Sequence, residues 1–220
     1  MSGARERTVL VTGGATRLGR AIAEHLRSVG WRVLTSSHRA DAGADFLADL
    51  SEPTGAARLY AAVLGALGGE PPDALVNNAA LFTGDDAAVE CVNLTAPQKL
   101  TMFMAGRENG RGAVVNILDA ALLSSPSGAS HSNAPQSYVS AKRALLEYTA
   151  KSAVMFADTL RVNAVAPGPV LAPVGVHEKA GETPLGRPTP ESVAKAVAFL
   201  LDADYTTGLV IPVDGGRHLA

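Results

Sequence analysis

A glycine-rich turn between an apolar run and a helix-like segment is the feature that most constrains the fold of this chain. Apolar residues 9–11 precede the turn at residues 12–19, which reads TGGATRLG, and a helical pattern follows over residues 18–29. Glycines in such a turn permit a sharp reversal and a close approach of a ligand to the backbone. The N-terminus of the following helix directs unpaired N–H groups and the positive end of its dipole outward. The sequence therefore predicts a strand–turn–helix unit that binds a phosphate group.

Apolar runs alternate with helix-period segments along the whole chain. We predict strands at residues 8–12, 32–36, 45–47, 74–77, 113–117, 161–166 and 209–213. We predict helices at residues 18–29, 53–67, 87–106, 137–157 and 190–201. Strands that alternate with helices indicate βαβ crossovers and a mostly parallel sheet. We therefore expect one α/β domain over residues 1–220, with a doubly wound parallel sheet and helices on both of its faces.

Composition narrows the function classes. Hydrophobic residues make up 47% of the chain and aromatic residues only 5%, so the core must be aliphatic, as buried parallel strands require. The net charge of −2 gives no reason to expect nucleic acid or an anionic membrane as a partner. Cys91 is the single cysteine, which excludes an intrachain disulfide and a cysteine-based metal cluster, and we predict no metal site. No apolar run approaches the roughly 18 residues of a membrane span, and the first residues are polar, so we expect a cytoplasmic protein.

Residues after the second and third predicted strands indicate how a dinucleotide would bind. His38 and Arg39 end the second strand, where a dinucleotide-binding sheet places the adenosine ribose. The Arg39 fork matches a 2′-phosphate and favours NADP(H), although a solvated surface cation is the alternative. Asp49 and Leu50 follow the third strand. Asp49 could accept a hydrogen bond from the adenine amino group, or it could cap the next helix.

Two adjacent asparagines, Asn77 and Asn78, follow the fourth predicted strand. Their amides could bridge neighbouring strand ends and line a cofactor cleft, and a merely polar strand end is the weaker alternative.

Tyr138 and Lys142 lie four residues apart in a predicted helix, on one face of it. An ammonium group near a phenol lowers the pKa of the phenol from its usual value near 10, which would make Tyr138 a general acid–base near neutral pH. A Tyr and a Lys also occur at this spacing by chance in many helices, so the pair needs the rest of the chain to support it.

These stretches occur in the order of a known family's motifs. They are residues 12–19, Asp49, Asn77-Asn78-Ala79, Asn93 in Val92-Asn93-Leu94, Tyr138-x-x-x-Lys142, residues 161–168 (RVNAVAPG) and Val213-Asp214-Gly215-Gly216. Over nearly its full length the chain resembles the short-chain dehydrogenase/reductase family. The resemblance implies a Rossmann-type sheet of seven parallel strands, a nicotinamide cofactor, and a homotetramer or a dimer.

The resemblance also implies roles for particular residues. Tyr138 would donate a proton, Lys142 would bind the nicotinamide ribose, and Asn93 would hold a water of the proton relay. The implied cofactor contacts come from Gly13, Thr16, Arg17, Leu18, Gly19, His38, Arg39, Asp49, Leu50, Asn78, Ala79, Tyr138, Lys142, Pro167, Gly168 and Val170.

One departure from the family pattern suggests a substrate. The family usually has a serine two or three residues past the fifth strand, and this chain has Asp119 there. An Asp–Tyr pair can pass a proton to a ring nitrogen more readily than a Ser–Tyr pair. The arrangement looks like the pteridine reductase branch, and Arg17 in the turn and Phe82 after Asn77-Asn78-Ala79 agree with it. The tail DGGRHL at residues 214–219 is especially like the bacterial dihydromonapterin reductases.

Our leading hypothesis is an NADPH-dependent reductase of a pterin-like ring, such as dihydromonapterin, dihydrobiopterin or dihydrofolate. Arg17, Phe82, Asp119 and Tyr138 would contact the substrate, and Asp119, Tyr138, Lys142 and Asn93 would be catalytic. Two alternatives are a reductase or dehydrogenase of a ketone or secondary alcohol, and a non-catalytic NADP(H)-binding protein.

Further departures bear on the substrate pocket. The segment at residues 83–92 is short, whereas residues 124–135 form an extra loop rich in Ser, Pro, Gly and Asn. Residues 172–188 are predicted to form a mobile loop or lid at the same edge of the sheet. His131 in the extra loop is interpreted as a solvated residue, and His218 could reach the site of a neighbouring subunit.

Overall fold

A single parallel sheet of seven strands organises the molecule. The computed structural model describes residues 6–108, 110–123, 134–170 and 183–219. The strands are β1 (Thr8–Val11), β2 (Arg32–Ser37), β3 (Phe46–Leu47), β4 (Ala74–Asn77), β5 (Gly112–Ile117), β6 (Leu160–Pro167) and β7 (Val210–Val213). The helices are α1 (Arg17–Ser28), α2 (Gly55–Ala66), α3 (Asp86–Glu90), α4 (Ala96–Ala105), α5 (Gln136–Met155) and α6 (Pro190–Asp202). The strand order is β3-β2-β1-β4-β5-β6-β7, which confirms the predicted doubly wound α/β fold.

Both faces of the sheet are buried because its strands are apolar on both sides. Val9 and Val11 point to one face and pack with α1 and α6, where Ile22 and Val197 are fully buried. Leu10, between them, points to the other face and packs against α2 and α4. This alternation is the period of two that a strand imposes on its side chains.

The strand order reverses between β1 and β4, which are neighbours in the sheet although β2 and β3 intervene in sequence. In open α/β sheets, ligands bind in the crevice outside the carboxyl ends of the strands at such a reversal. The β1–α1 turn and the residues after β4 meet at this point, so the fold places the predicted cofactor site there.

The helix predicted at residues 87–106 is present, but its hydrogen-bonding pattern changes within it. The chain forms α3, then a π-helical segment at Cys91–Thr95, and then α4. Within the π-helical segment, the Asn93 amide Nδ2 donates to the carbonyls of Val89 (2.8 Å) and Leu81 (2.7 Å). A wider turn of this kind is an insertion into a helix and is frequent at functional sites.

The β3–α2 connection also differs from the prediction. Helix α2 begins at Gly55 rather than at Pro53, because residues 52–54 form a turn closed by the Gly55 N–H on the Glu52 carbonyl at 2.9 Å. Gly55 lies so close to the Asp49 carbonyl that a side chain would collide with it. Strand β3 is only two residues long, and the Asp45 carboxylate instead binds the Thr35 N–H and hydroxyl, each at 2.7 Å.

Parts of two predicted loops fall outside the described residues, namely residues 124–133, with His131, and residues 171–182. Within the described ranges, no helix is long and apolar enough to cross a membrane. The same residues contain no group of three or more His, Cys, Asp or Glu side chains that could hold a metal ion.

Candidate active site

The β1–α1 turn is packed tightly onto the end of β4. Gly13 has a φ of +62°, a conformation that favours glycine, and its α-carbon faces the backbone of Ala79. A side chain at Gly19 would collide with the Gly13 carbonyl and would lie 2.5 Å from Asn78 Nδ2. The glycines are therefore required for the turn to close on Asn78 and Ala79, two of the predicted cofactor residues.

The N-terminus of α1 is open to an anion. Its N-cap residue Thr16 is exposed, makes no side-chain hydrogen bond to the first turn in the described structure, and no acidic residue occupies that turn. By contrast, Asp85 and Thr189 cap α3 and α6 with side-chain hydrogen bonds. Helix α1 thus keeps the positive end of its dipole uncompensated by a side chain, which is the arrangement that binds a phosphate.

Two further predicted residues begin the same helix. Arg17 is exposed and is the one non-glycine residue with a positive φ, +51°, within the described chain. Leu18 is partly buried against the core beneath α1, so it can offer a ligand its backbone rather than its side chain. The exposed Arg17 side chain is long enough to extend from this turn toward a bound cofactor or substrate, as predicted.

Asn78 and Thr12 hold the two strand ends together. Asn78 Nδ2 donates to the carbonyls of Thr12 (2.9 Å) and Gly13 (3.3 Å). The Thr12 hydroxyl accepts the N–H groups of Asn78 and Ala79, both at 3.0 Å, and donates to the Val76 carbonyl. The prediction that the paired asparagines bridge neighbouring strand ends is confirmed for Asn78 and, through Asn116 of β5, for Asn77.

Asn77 makes a separate, fully buried link across the sheet. Its Nδ2 donates to Asn116 Oδ1 of β5 at 2.8 Å, and Asn116 Nδ2 donates to the Thr149 hydroxyl of α5 at 2.9 Å. The link fixes α5, which carries Tyr138 and Lys142, against the ends of β4 and β5. Buried polar chains of this kind favour one arrangement because each unpaired polar atom is costly, and Asn77 Oδ1 is such an atom among the described residues.

The predicted adenosine end lies beside the edge strand β3. A groove of about 530 Å³ runs there, and His38 and Asp49 both line it. Asp49 accepts hydrogen bonds from the Ser51 hydroxyl (2.6 Å) and N–H (2.9 Å), which hold the pKa of its carboxyl below the usual value. It caps no helix within the described residues, so the capping alternative is wrong. Leu50 is buried beneath this surface.

Arg39 is exposed at the end of β2 and pairs with Asp41. The guanidinium donates two hydrogen bonds to the Asp41 carboxylate, from Nε at 3.0 Å and from Nη2 at 2.7 Å. The Arg39 N–H is fixed by the Ser37 hydroxyl at 3.0 Å. The guanidinium predicted to bind a 2′-phosphate is therefore exposed at the expected position, and its orientation is set by the Asp41 carboxylate.

The end of β6 completes the crevice. The Gly168 N–H donates to the Val213 carbonyl at 2.9 Å, and the Gly168 α-carbon faces Asp214 so closely that a Cβ would lie 2.8 Å from its Cα. Pro167 is the last residue of β6, and Val170 is buried in the core. Pro167 and Val170 can therefore contribute to cofactor binding chiefly through their backbone.

Asp119, Tyr138 and Phe82 form the centre of the site. The Tyr138 hydroxyl lies 3.4 Å from Asp119 Oδ2, to which it donates, and Asp119 Oδ1 accepts the Ala121 N–H at 3.0 Å. The Phe82 ring packs edge-on against the Tyr138 ring, with centroids 5.0 Å apart and an angle of 61°. The structure thus brings together three of the four residues predicted to contact a substrate.

The predicted lowering of the Tyr138 pKa is wrong. Burial raises the pKa of Tyr138 above its usual value, and the Asp119 carboxylate and its hydrogen bond raise it further. Lys142 does not offset this, because Nζ donates to the Ile117 carbonyl at 2.8 Å and lies 5.9 Å from the centroid of the phenol ring. Tyr138 therefore keeps its proton at neutral pH, as a proton donor must.

Lys142 is itself strongly affected by its surroundings. Only 2% of the residue is exposed, and burial lowers the pKa of its ammonium to about 8, with Asp119 acting in the opposite direction. The side chain is fixed at the end of β5, next to Asp119, rather than free to move.

Asn93 is completely buried. Its amide hydrogens are donated to the Leu81 and Val89 carbonyls, and its Oδ1 has no hydrogen-bond partner among the described residues. A buried acceptor without a partner is costly, and a water is the usual means of satisfying it. The predicted role of Asn93 in holding a relay water is consistent with this orphan oxygen.

His218 is paired within its own chain. Its Nδ1 lies 2.8 Å from Asp214 Oδ2, and the same oxygen accepts the His218 N–H at 2.7 Å. Burial alone would raise the pKa of Asp214, but the hydrogen bonds from His218 and from the Gly216 N–H outweigh it and hold the pKa below the usual value. A reach into a neighbouring subunit, as predicted from the resemblance, would require this pair to open.

Asp214→Asn is expected to lower the free energy of unfolding by about 1–3 kcal/mol at pH 7, because the amide nitrogen cannot accept both bonds from His218. The lowered pKa makes the Asp214 contribution fully present above the unfolded value near 3.9, and it is lost as pH falls through the folded value. Urea unfolding of both proteins from pH 7 to pH 3 measures this. Glu147→Gln, which removes an exposed pair with Lys151, is the control and should change little. A difference that persists unchanged at pH 3 would contradict the assignment.

Several residues that build the site were not predicted. They are Thr12, Asn116, Asp41, Asp45 and Asp214, each of which fixes a neighbour rather than facing the crevice. Asn116 could have been found, since it is the lone polar residue within the apolar run of β5. Thr12 and Asp214 lie in stretches quoted above as family motifs, although no role was assigned to them. The contacts of Asp41 and Asp45 depend on local turn geometry and on pairing between segments, which no spacing reveals.

Comparisons with known proteins identify oxidoreductases that are similar to this chain in sequence and in fold. A family model described as Enoyl-(Acyl carrier protein) reductase matches residues 13–218. Protein FixR of Bradyrhizobium diazoefficiens is 31% identical over 97% of this chain and 87% of its own length. L-xylulose reductase of Bos taurus is 34% identical over 96% of each protein. The crystal structure of FolM Alternative dihydrofolate reductase 1 from Brucella canis, complexed with NADP, has a TM-score of 0.81 and 32% identity, and the match covers 97% of this chain and 95% of that one.

The fold and site define a dinucleotide-dependent oxidoreductase. The chain belongs to the short-chain dehydrogenase/reductase family, as predicted from its motifs. The names L-xylulose reductase and Alternative dihydrofolate reductase 1 indicate chemically different substrates. Membership in the pteridine reductase branch therefore stays a prediction.

Proposed function

We propose that the protein is an NADPH-dependent reductase of a pterin-like ring, acting on a C=N bond. The observation that carries the proposal is the hydrogen bond from the Tyr138 hydroxyl to the Asp119 carboxylate. A carboxylate at this point suits a substrate with ring nitrogens and exchangeable protons better than it suits a simple ketone. The FolM dihydrofolate reductase neighbour, which has the same fold at 32% identity, supports this substrate class.

The residues of the chain fit the cofactor. The uncapped N-terminus of α1 would hold the pyrophosphate, Arg39 the 2′-phosphate, and Lys142 the nicotinamide ribose. When bound, NADPH supplies the hydride that reduces a ring carbon. The NADP complex of the FolM neighbour supports this choice of cofactor.

The chain's own groups would then handle the proton and the orientation of the substrate. Tyr138 holds a proton at neutral pH and donates it to the ring nitrogen as the adjacent carbon is reduced. Asp119 orients the phenol and binds the substrate. Phe82 could offer its ring to a planar substrate at an offset-stacking distance. A water at Asn93 would replace the proton that Tyr138 gives up.

Steady-state assays of NADPH oxidation with dihydromonapterin, dihydrobiopterin and dihydrofolate test the proposal. Turnover with at least one of the three is expected. No NADPH oxidation with any of them, for a protein that binds NADPH, would reject the pterin function.

Asp119→Ser is expected to reduce kcat/KM for a dihydropterin by about 100-fold, the lower end of the range for the loss of a group that assists proton transfer. Asp119→Asn is the matched variant, since it keeps the shape and can still accept from the Ala121 N–H, and it should lose activity to a similar extent. If Asp119→Ser preserves or raises turnover on a panel of ketones, the enzyme is instead a carbonyl reductase. The L-xylulose reductase relative makes that the second candidate function.

A non-catalytic NADP(H)-binding role is the third hypothesis. It predicts that calorimetry detects cofactor binding while neither the dihydropterins nor the ketones are turned over. The retained Tyr138 and Lys142 argue against it, because a binding protein needs no buried proton donor. A homotetramer and a cytoplasmic location stay predictions from the resemblance and the sequence.

A further inference from the structure

The paired N–H groups of the Arg39 guanidinium, here called the fork, bind the carboxylate of Asp41 in the adjacent turn. Both guanidinium contacts to Asp41, from Nε and from Nη2, form a bidentate pair. The two side chains are exposed, at 58% and 70% of their surface, and the Asp41 carboxyl has its pKa lowered by this pairing. Asp41 is therefore negatively charged at neutral pH.

A 2′-phosphate would need the same fork. Arginine binds phosphate and carboxylate with the same planar pair of N–H groups. A phosphate that approaches Arg39 must therefore displace the Asp41 carboxylate, which then remains nearby as a like charge.

The backbone that carries Asp41 is held close to the fork. Residues 40–42 form a single 3₁₀ turn that is followed by Gly43 in the left-handed region, with a φ of +69°. The turn is anchored on one side by the Arg39 N–H on Ser37, and on the other by Asp45, whose carboxylate binds Thr35. The titratable groups that line the adjoining groove are His38, Asp45, Asp49, Glu52 and Arg58.

We propose that Asp41 is a specificity-determining residue that competes with the 2′-phosphate for Arg39 and so limits the preference for NADPH over NADH. The inference rests on the proposed function only in requiring a dinucleotide whose adenosine lies at the end of β2. An exposed ion pair is weak, so a phosphate displaces it, but at a cost in affinity that NADH does not share.

The test is the dissociation constant of each dinucleotide, measured by cofactor fluorescence or calorimetry. Asp41→Asn should tighten NADPH binding by about two- to fivefold, the range expected when a weak exposed ion pair is removed, and should change NADH binding by less than about twofold. Asp202→Asn is the control, since it breaks the exposed Arg7–Asp202 pair with the same change in charge, and it should leave both constants unchanged. In an Arg39→Gln background, Asp41→Asn should give a smaller gain for NADPH.

Three results would overturn the inference. An unchanged or weaker affinity for NADPH would show that Asp41 does not compete. An equal gain for both dinucleotides would assign its effect to general charge. The same gain with and without Arg39 would show that the fork is not involved. Failure of the native protein to bind either dinucleotide would reject the proposed function together with the inference, whereas binding with an unchanged ratio would reject the inference alone.

Discussion

Tyr138→Phe is expected to reduce kcat by about 10²- to 10⁴-fold, the contribution usual for a positioned general acid. The variant removes only the hydroxyl that donates to Asp119 and keeps the ring that packs on Phe82. Because the raised pKa keeps the phenol protonated at neutral pH, the variant removes the proton that the proposed reaction requires, and the main loss is expected in kcat. Rapid-quench or steady-state assays with saturating NADPH measure kcat, and fluorescence measures the dissociation constant of NADPH, which should change by less than about threefold.

Tyr148→Phe is the matched control, since it removes a hydroxyl from the same helix α5. That hydroxyl donates to the Gln98 carbonyl at 3.3 Å and has no contact with Asp119. The control should keep its activity and lose only about 0.5–1.5 kcal/mol of unfolding free energy. A Tyr138→Phe enzyme that retains more than about a tenth of the native kcat would show that the proton comes from another group.

The parts of the fold that follow from local pattern were predictable from the sequence. The apolar run at residues 9–11 and the glycine turn after it predict β1 and α1 because burial on both faces and a sharp turn leave few other structures. The spacing of Tyr138 and Lys142 correctly places both on one helix. Asp119 and Tyr138 are 19 positions apart but adjacent in space, because the fold places the end of β5 beside α5. The resemblance to the family was needed to predict this.

What the sequence could not predict depends on where side chains point after the chain has folded. Lys142 was expected to act on the phenol, but its ammonium binds the Ile117 carbonyl, and burial determines the pKa of Tyr138 instead. The π-helical segment results from the position of Asn93, whose amide reaches carbonyls on two different segments. The spacing of residues in a helix does not predict a hydrogen bond from a side-chain amide to carbonyls of other segments.

Arg39 shows a different limit. Its place at the end of β2 was sufficient to predict a phosphate-binding cation, and the structure has the guanidinium exposed there. The pairing with Asp41 follows from a 3₁₀ turn of three residues, which is shorter than any periodicity can reveal. Position therefore led to a ligand that stays a prediction, whereas the local turn explains why Asp41 contacts the guanidinium.

Lys142→Met is expected to abolish reduction and to change the pH dependence of stability. Burial lowers the pKa of Lys142 to about 8, against about 10.4 in the unfolded chain, so the folded state bears the cost of a buried charge at pH 7. As pH rises from about 8 to about 10.4, the unfolded state binds more protons than the folded state, and the native protein gains stability relative to the variant. A difference of about two pKa units corresponds to roughly 2–3 kcal/mol over this range.

Paired urea titrations of native and variant protein at pH 7, 8, 9 and 10 measure the change, because every other titrating group is common to both. The Met side chain fills a similar volume but leaves the Ile117 carbonyl without its donor, which lowers the stability of the variant by an amount that does not depend on pH. Lys151→Met on the same helix is the control, since Lys151 is 72% exposed and its difference should stay flat over this range. A flat difference for Lys142→Met would show that Lys142 titrates near its ordinary value, which would contradict the desolvation of its ammonium by burial.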